Sequence, residues 1–375
     1  MSRLQAAGFL AITLLASLAG CQASAGRGAV ASAPPPPEQT PARPETSRTV
    51  SPFGELDGDA AATSDRLLAN VTQHTFSKIG RDFDPDLSGD GQVLAYASTN
   101  HNDRPDIFLK AVDGFAITQL TADPADDVQP KFSPDGERVI FCSNRSGNWD
   151  VWLVNRDGTG LTQVTSDRAD EIAPCWSPDG RRVAFSVWGS RSQQWEIWSL
   201  ALDRPGVRRF LAYGLFPAWS PDGQRLAFQR ARQRGTRWFS VWVVDITGEE
   251  ARFPTEIASG DDFACIAPRW SPNGRVIVYS TVPRDAATEE TVADLWTVDT
   301  FSGVRRKLSD GGAPAFNPAF AAGGRVYFVS TLGGSENIWS VPGDDNIGSA
   351  TASSAGRGAE MSHAEANAPA DAGGH

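Results

Sequence analysis

PKFSPDG at 130–136, PCWSPDG at 174–180, PAWSPDG at 217–223 and PRWSPNG at 268–274 are four copies of one heptad, Pro-x-aromatic-Ser-Pro-Asp/Asn-Gly. Two degenerate copies flank them, PDLSGDG from Pro85 and PAFAAGG from Pro318, each keeping glycine at the seventh position. Successive anchor prolines stand 45, 44, 43, 51 and 50 residues apart, a period that marks a repeat architecture. Each heptad leads into a β-forming run bounded by turn residues, such as RVIFC (138–142), RVAFS (182–186) or RLAFQ (225–229). A polar loop follows, then a run centred on an aromatic: DIFL (106–109), DVWLV (150–154), EIWSL (196–200), SVWVV (240–244), DLWTV (294–298) and NIWSV (337–341). A turn, clearest at Asp157-Gly158, leads to a fourth run such as LTQVT (161–165). With the residues just before each heptad as the innermost strand, every unit holds four short antiparallel strands. No stretch carries helical periodicity.

Four-stranded units of this length pack radially, so the reading is all-β, a six-bladed β-propeller. The sixth copy supplies only three strands. LLANVT (67–72) matches the fourth-strand pattern of GLTQVT (160–165), which predicts a ring closed by pairing N-terminal and C-terminal strands within one blade, so that no free sheet edge remains at the seam. The heptads, with the IW-type third strand, resemble the WD-like repeats of the TolB family of periplasmic β-propellers, across residues 67–345. The resemblance implies an envelope protein that binds other proteins. Two features differ from TolB proper: a Pro-rich linker stands where TolB carries an α/β domain, and TolB is soluble whereas this chain reads as lipidated.

That second reading comes from the N-terminus. Residues 1–20 form an export signal with Arg3, an apolar run from Phe9 to Leu18 too short to span a bilayer, and small residues before Cys21. Leu18-Ala19-Gly20-Cys21 resembles the lipobox of bacterial lipoproteins, which implies lipidation of Cys21. Gln22 is not the aspartate associated with inner-membrane retention, which favours the outer membrane, facing the periplasm. Residues 21–65 are rich in Ala, Pro and Ser, with Pro34 to Pro37 consecutive, and read as a disordered tether. The propeller spans 66–345, and 346–375 reads as a disordered Gly/Ala-rich tail.

The 375 residues carry 34 basic and 45 acidic side chains, a net charge of −11, which disfavours nucleic acid. With four histidines, His74, His101, His363 and His375, a His-based metal site or a Ser/His/Asp triad lacks raw material. No catalytic residue, metal ligand or cofactor is assigned. Asp135, Asp179, Asp222 and Asn273 precede glycine and read as turn residues. DPDLSGDG (84–91) lacks the acidic twelfth position of a calcium loop, which is Ala95. Cys142, Cys175 and Cys265 read as free core thiols.

In a four-stranded meander the loops between second and third strands and those between blades open on one face. The inter-blade loops place Asp82 and Asp84, Asp126 and Asp127, Asp170 and Glu171, and Asp261 and Asp262 near the channel mouth. On the same face the outer loops of blades three and four carry Arg191, Arg232, Arg234 and Arg237, with Trp188, Trp195 and Trp238 in or beside them. A basic arc beside an acidic centre suits docking of a charged partner. The expected function is a monomeric, non-catalytic, lipid-anchored scaffold that binds envelope proteins. The alternatives are a sugar- or small-ligand-binding propeller, or a carboxylate-based glycoside hydrolase or lyase using the acidic mouth.

Overall fold

The computed structural model describes residues 71–231, 238–248, 250–283, 293–309 and 312–343. These form twenty-four strands and no helix. Blade 1 comprises β2 (Asp82–Leu87), β3 (Val93–Ser98), β4 (Asp106–Ala111) and β5 (Ile117–Gln119). Blade 2 comprises β6 (Asp127–Phe132), β7 (Arg138–Ser143), β8 (Asp150–Asn155) and β9 (Thr162–Gln163). Blade 3 has β10 (Glu171–Trp176), β11 (Arg182–Gly189), β12 (Gln194–Ala201) and β13 (Arg204–Tyr213). Blade 4 has β14 (Leu215–Trp219), β15 (Arg225–Ala231), β16 (Phe239–Thr247) and β17 (Glu250–Ala258), and blade 5 has β18 (Phe263–Trp270), β19 (Val276–Pro283), β20 (Asp294–Asp299) and β21 (Arg305–Lys307). Blade 6 joins β22 (Ala315–Phe320), β23 (Arg325–Ser330) and β24 (Asn337–Pro342) to β1 (Thr72–Gln73). All neighbours are antiparallel, giving the six-bladed propeller that the repeats predict.

The heptad works as a strand end plus a turn. Its first three residues belong to the innermost strand itself, rather than following it. In the turn, Ser133 donates its hydroxyl to Asp135, and the Arg138 amide returns a hydrogen bond to Ser133 Oγ at 2.9 Å. The Glu137 amide donates to Asp135 Oδ1 at 3.1 Å, and Gly136 takes φ 73°, a conformation that favours glycine. The same bonds recur at Ser177/Asp179, Ser220/Asp222 and Ser271/Asn273. Hydrogen bonds from Ser133 and the Glu137 amide hold the Asp135 carboxyl below the ordinary carboxylate range.

Blades are clasped to each other by the heptad aromatic. The Trp176 indole N–H donates to Lys131 O in the preceding blade at 3.1 Å, and Trp270 to Ala218 O at 3.0 Å. The arginine that opens the preceding blade's second strand stacks on the heptad tryptophans: Arg138 over Trp176 at 5.0 Å, Arg182 over Trp219 at 4.9 Å and Arg225 over Trp270 at 4.5 Å. Between these clasps lie the buried apolar clusters, which include Phe141, Phe185, Phe228 and Tyr279. Cys142, Cys175 and Cys265 are buried, and none of them is in a disulfide.

The ring closes in blade 6, where Thr72 pairs with Ser340 and Gln73 with Trp339. The closing segment is TQHT (72–75), equivalent to TQLT (118–121) and TQVT (162–165). The strand therefore sits three residues later than a match of LLANVT to GLTQVT places it, and 67–70 lie outside the described residues. The register is set by threonine. Thr75 Oγ1 accepts from the Ile338 amide at 2.9 Å, as Thr121 does from Ile107 and Thr165 from Val151. Thr75→Val should leave that buried amide unpaired and lower stability by about 1–3 kcal/mol in urea titration. His74, buried against Tyr327 and bonded to Ser340 Oγ at 2.8 Å, has its pKa lowered to about 4 by desolvation and by Lys110 and Arg325. Its neutral form is favoured by folding. That contribution is complete above the unfolded value near 6.5 and is lost as pH falls toward 4. His74→Gln should flatten this loss, read as the pH dependence of the stability difference between the variant and the native chain.

Candidate functional site

The mouth face carries the inter-blade loops and the loops between second and third strands, as the meander requires. The acids assigned to it divide into two groups. Asp82, Asp127 and Glu171 each stand three residues before the anchor proline of their heptad, at the first residue of an innermost strand (Glu171 of β10, Asp127 of β6, Asp82 of β2), and all three are buried. They lie beneath the mouth, out of reach of a docking partner. Asp82 accepts from Ser77 Oγ at 2.7 Å. Asp127 pairs with Arg145 at 2.7 Å, and Glu171 with Arg208 at 2.8 Å, which also holds Asp167. Across the blade seam, the Asp150 carboxyl of β8 is within hydrogen-bond reach of Glu171. Asp150 Oδ1 and Glu171 Oε2 are buried without a hydrogen-bond partner among the described residues. Desolvation accordingly raises the pKa of Glu171, as it does that of Asp127.

The second group is nearer solvent. Asp126 is partly exposed, 3.3 Å from Arg104, and also accepts from Asn144. Asp170 is exposed and caps the Trp149 amide at 3.1 Å. Asp261 and Asp262 are exposed between β17 and β18. Arg191 and Trp188 are exposed on the β11–β12 loop and strand end, with Trp188 edge-on to half-buried Trp195 at 5.7 Å. Trp238 is half-buried, and Arg232, Arg234 and Arg237 lie outside the described residues.

Asp84 lines the channel instead. It belongs to a ring of six residues, each immediately before an anchor proline: Asp84, Gln129, Ala173, Phe216, Ala267 and Asn317, all with φ between 50° and 57°. At each, the pairing with the second strand slips by one residue, a bulge that turns the side chain toward the axis. The strained amides are satisfied from the preceding blade. Gln129 N donates to Asp84 Oδ2 at 3.2 Å, Ala173 N to Gln129 Oε1 at 2.8 Å, Phe216 N to Ser186 Oγ at 3.2 Å, and Ala267 N to Gln229 Oε1 at 2.8 Å. Asn317 donates to the other Asp84 oxygen at 2.8 Å. Burial raises the Asp84 pKa against the pull of Lys131. Lys131 in turn sits 3.1 Å from Asp86, and Arg269 donates to the carbonyls of Pro217 and Pro268 at 3.5 and 3.4 Å. The free space here is about 20 Å³, room for about one water. Gln129, Lys131, Arg269 and Asn317 were not legible as a site, because they occupy repeat positions where residue type varies.

Sequence reasoning also missed an apolar patch on the mouth. Phe76 and Ile79 are exposed on the connection from blade 6 to blade 1, and Leu332 on the loop between β23 and β24. Those loops pack on blade 1, where the Arg81 amide donates to Thr99 Oγ1 at 3.0 Å and Arg81 stands 3.8 Å from Glu336.

Six four-stranded blades with bulged inner strands and serine-aspartate turns make a six-bladed β-propeller. The family profile of the Tricorn protease N-terminal β-propeller domain matches residues 147–357, and that of the TolB β-propeller domain matches 64–209. The chain belongs to this family of β-propellers. Among solved structures it is similar to TolB from Acinetobacter baumannii (TM-score 0.55, 15% identity, 68% of this chain and 65% of that one). It is also similar to a protein described as a putative TolB from Agrobacterium tumefaciens (0.54, 18%, 72% and 96%) and to oligogalacturonate lyase from Vibrio parahaemolyticus (0.50, 14%, 72% and 93%). The chain thus spans just under two thirds of the Acinetobacter protein's length. At these identities the likeness is one of fold. No curated protein matches the sequence.

The Asp150–Glu171 pair makes a directional prediction. An acid whose pKa is raised by folding costs stability as pH rises from the unfolded carboxyl range toward the folded value. Glu171→Gln should therefore gain on the native chain between pH 4 and pH 7, measured as the difference in denaturation midpoint. A difference that is constant with pH would contradict the raised pKa of the buried Glu171 carboxyl.

Proposed function

We propose that this chain is a non-catalytic recognition propeller of the bacterial cell envelope, tethered by lipid at Cys21, which docks another envelope protein on its mouth face. One observation carries the reading. The mouth carboxylates best placed for chemistry, Asp82, Asp127 and Glu171, are buried and engaged within the blade seams. What that face offers to solvent is recognition chemistry: Phe76, Ile79, Leu332 and Trp188, with Asp126, Asp170 and Arg191 around them. Large apolar groups set among charges are what a protein interface uses. A glycosidase needs two accessible carboxyls across one bond, and the buried acids stand on separate blades. A sugar ring does not fit the 20 Å³ constriction, so a ligand of that kind would rest on the mouth loops.

Crosslinking and affinity capture from membranes tests this, comparing the native chain with Phe76→Ser/Ile79→Asp and with Asp126→Asn/Asp170→Asn. The expected result is one envelope protein captured by the native chain and reduced about tenfold or more by the apolar double variant, since two anchor side chains are lost. Equal capture by all three, or none by any, rejects the docking face. Separately, Cys21→Ser should move the protein out of the membrane fraction.

A further inference from the structure

The face opposite the mouth holds a second feature that docking does not use. In each blade the third strand runs away from the mouth, so the turns between third and fourth strands open on this opposite face. The segment preceding β1 reaches the ring from the same side, because β1 is itself a fourth strand paired antiparallel to β24. Blade 6 thus receives the chain at Val71 between the turn of blade 5 (300–304) and that of blade 1 (112–116). Both turns end in protruding apolar side chains. Phe301 is 78% exposed and Phe115 87% exposed, and Val304 and Ile117 beside them are about half exposed. Such exposure of a phenylalanine at a turn serves no packing in the ring.

The charged groups beside Phe301 are cationic, while Asp113 stands two residues before Phe115. Arg305 and Arg306 follow Val304 directly and are exposed, and Arg225 lies 5.8 Å over the Phe301 ring. In a chain with net charge −11, a local group of arginines interleaved with exposed phenylalanine is an inversion of the general surface. Apolar rings at headgroup depth with arginines beside them are the chemistry of a protein that rests on an anionic bilayer. The 70 residues that precede Val71 join the ring at this rim.

We infer that the rim formed by the third-to-fourth-strand turns of blades 5 and 1 is a membrane-contact surface, which seats phenylalanines 115 and 301 among anionic lipid headgroups and turns the mouth toward the periplasm. The contact stands on the rim alone and does not require the lipid on Cys21. The bilayer is the occupant because the tethered end of the chain and the cations share the rim with the rings.

The test is flotation of the exported chain, residues 21–375 with Cys21→Ser, with vesicles of phosphatidylethanolamine containing about a third phosphatidylglycerol. Closure of the ring between 72 and 342 leaves the propeller intact in this form. The native rim should bind, weaken in high salt, and lose about tenfold in partitioning in Phe115→Ser/Phe301→Ser, the weight of partly burying two aromatic side chains. Arg305→Gln/Arg306→Gln should weaken binding only to the anionic vesicles. Mouth variant Phe76→Ser/Ile79→Asp should bind vesicles as the native chain does. No binding by the unlipidated native chain, or equal binding by the rim and native forms, overturns the inference, whereas loss of partner capture with intact flotation bears on the mouth instead. Sedimentation as a dimer that the rim variant converts to monomer would assign the rim to self-association and also overturn it.

Discussion

A blade of four short strands has two apolar faces and no core of its own, so each sheet is stable only against a neighbour on both sides. The constraint that the rest of the structure answers is therefore closure of the ring at the seam that peptide connectivity does not make. Two residues of β1 do this with β24, reinforced by Thr75 and by the neutral imidazole of His74. A two-residue strand is weak in isolation. It suffices because pairing brings the blade 6 sheet to full width, which lets the apolar clusters on either side meet across both of its faces.

The seams show how polarity is distributed under that constraint. Their middles are apolar, their heptad ends are held by tryptophan hydrogen bonds and stacked arginines, and their mouth ends by buried carboxylates. A buried carboxylate needs a partner or a proton. Blades 1 to 3 use Asp82, Asp127 and Glu171 at one repeat position, and the equivalent position in blades 4 to 6 holds Gly214, Cys265 and Ala315. The polar seam is thus confined to half of the ring. Four of the six bulges follow the same logic: an amide turned out of the ladder at φ near 50° must find an acceptor, and a side chain of the preceding blade supplies it. The channel is narrow because its lining doubles as this inter-blade fastening.

Much of this was legible in the sequence, for a definite reason. Repetition exposes positions that every blade needs: the SPDG turn, the third-strand aromatic and the seven-position glycine gave blade number, strand order and the closing blade. The positions of Asp135, Asp179, Asp222 and Asn273 read as turns, and the bonds they make are those of turns. What failed was direction. The acids were assigned to the mouth through the inter-blade loops, yet Asp82, Asp127 and Glu171 open the innermost strands, and the bulge before each proline breaks the alternation that follows. Asp84 consequently faces the axis, while Asp82, Asp127 and Glu171 face into seams instead of the mouth. The closing strand was displaced by three residues because LLANVT resembles the apolar spacing of a fourth strand, whereas the chemistry that sets the register is the Thr-Gln-x-Thr pattern. Repetition also hides whatever differs between blades, which is why Lys131, Arg269 and the patch at Phe76, Ile79 and Leu332 carried no signal.

That asymmetry bears on where function can reside in such a fold. The heptad turns are nearly uniform, since the serine, the acid and the glycine fix both length and backbone. The mouth connections are not: a single residue, Gly214, joins blades 3 and 4, while residues 74–81 join blade 6 to blade 1. Variation is tolerated where no side chain is needed to hold a blade to its neighbour, and the loops over blade 6 carry their exposed apolar groups above a seam already fastened by Asn337, Thr75 and Ser77. A rigid ring then isolates the two faces from each other. Substitution in a mouth loop leaves the opposite rim unmoved, so the residues of the two faces are free to vary independently on one scaffold.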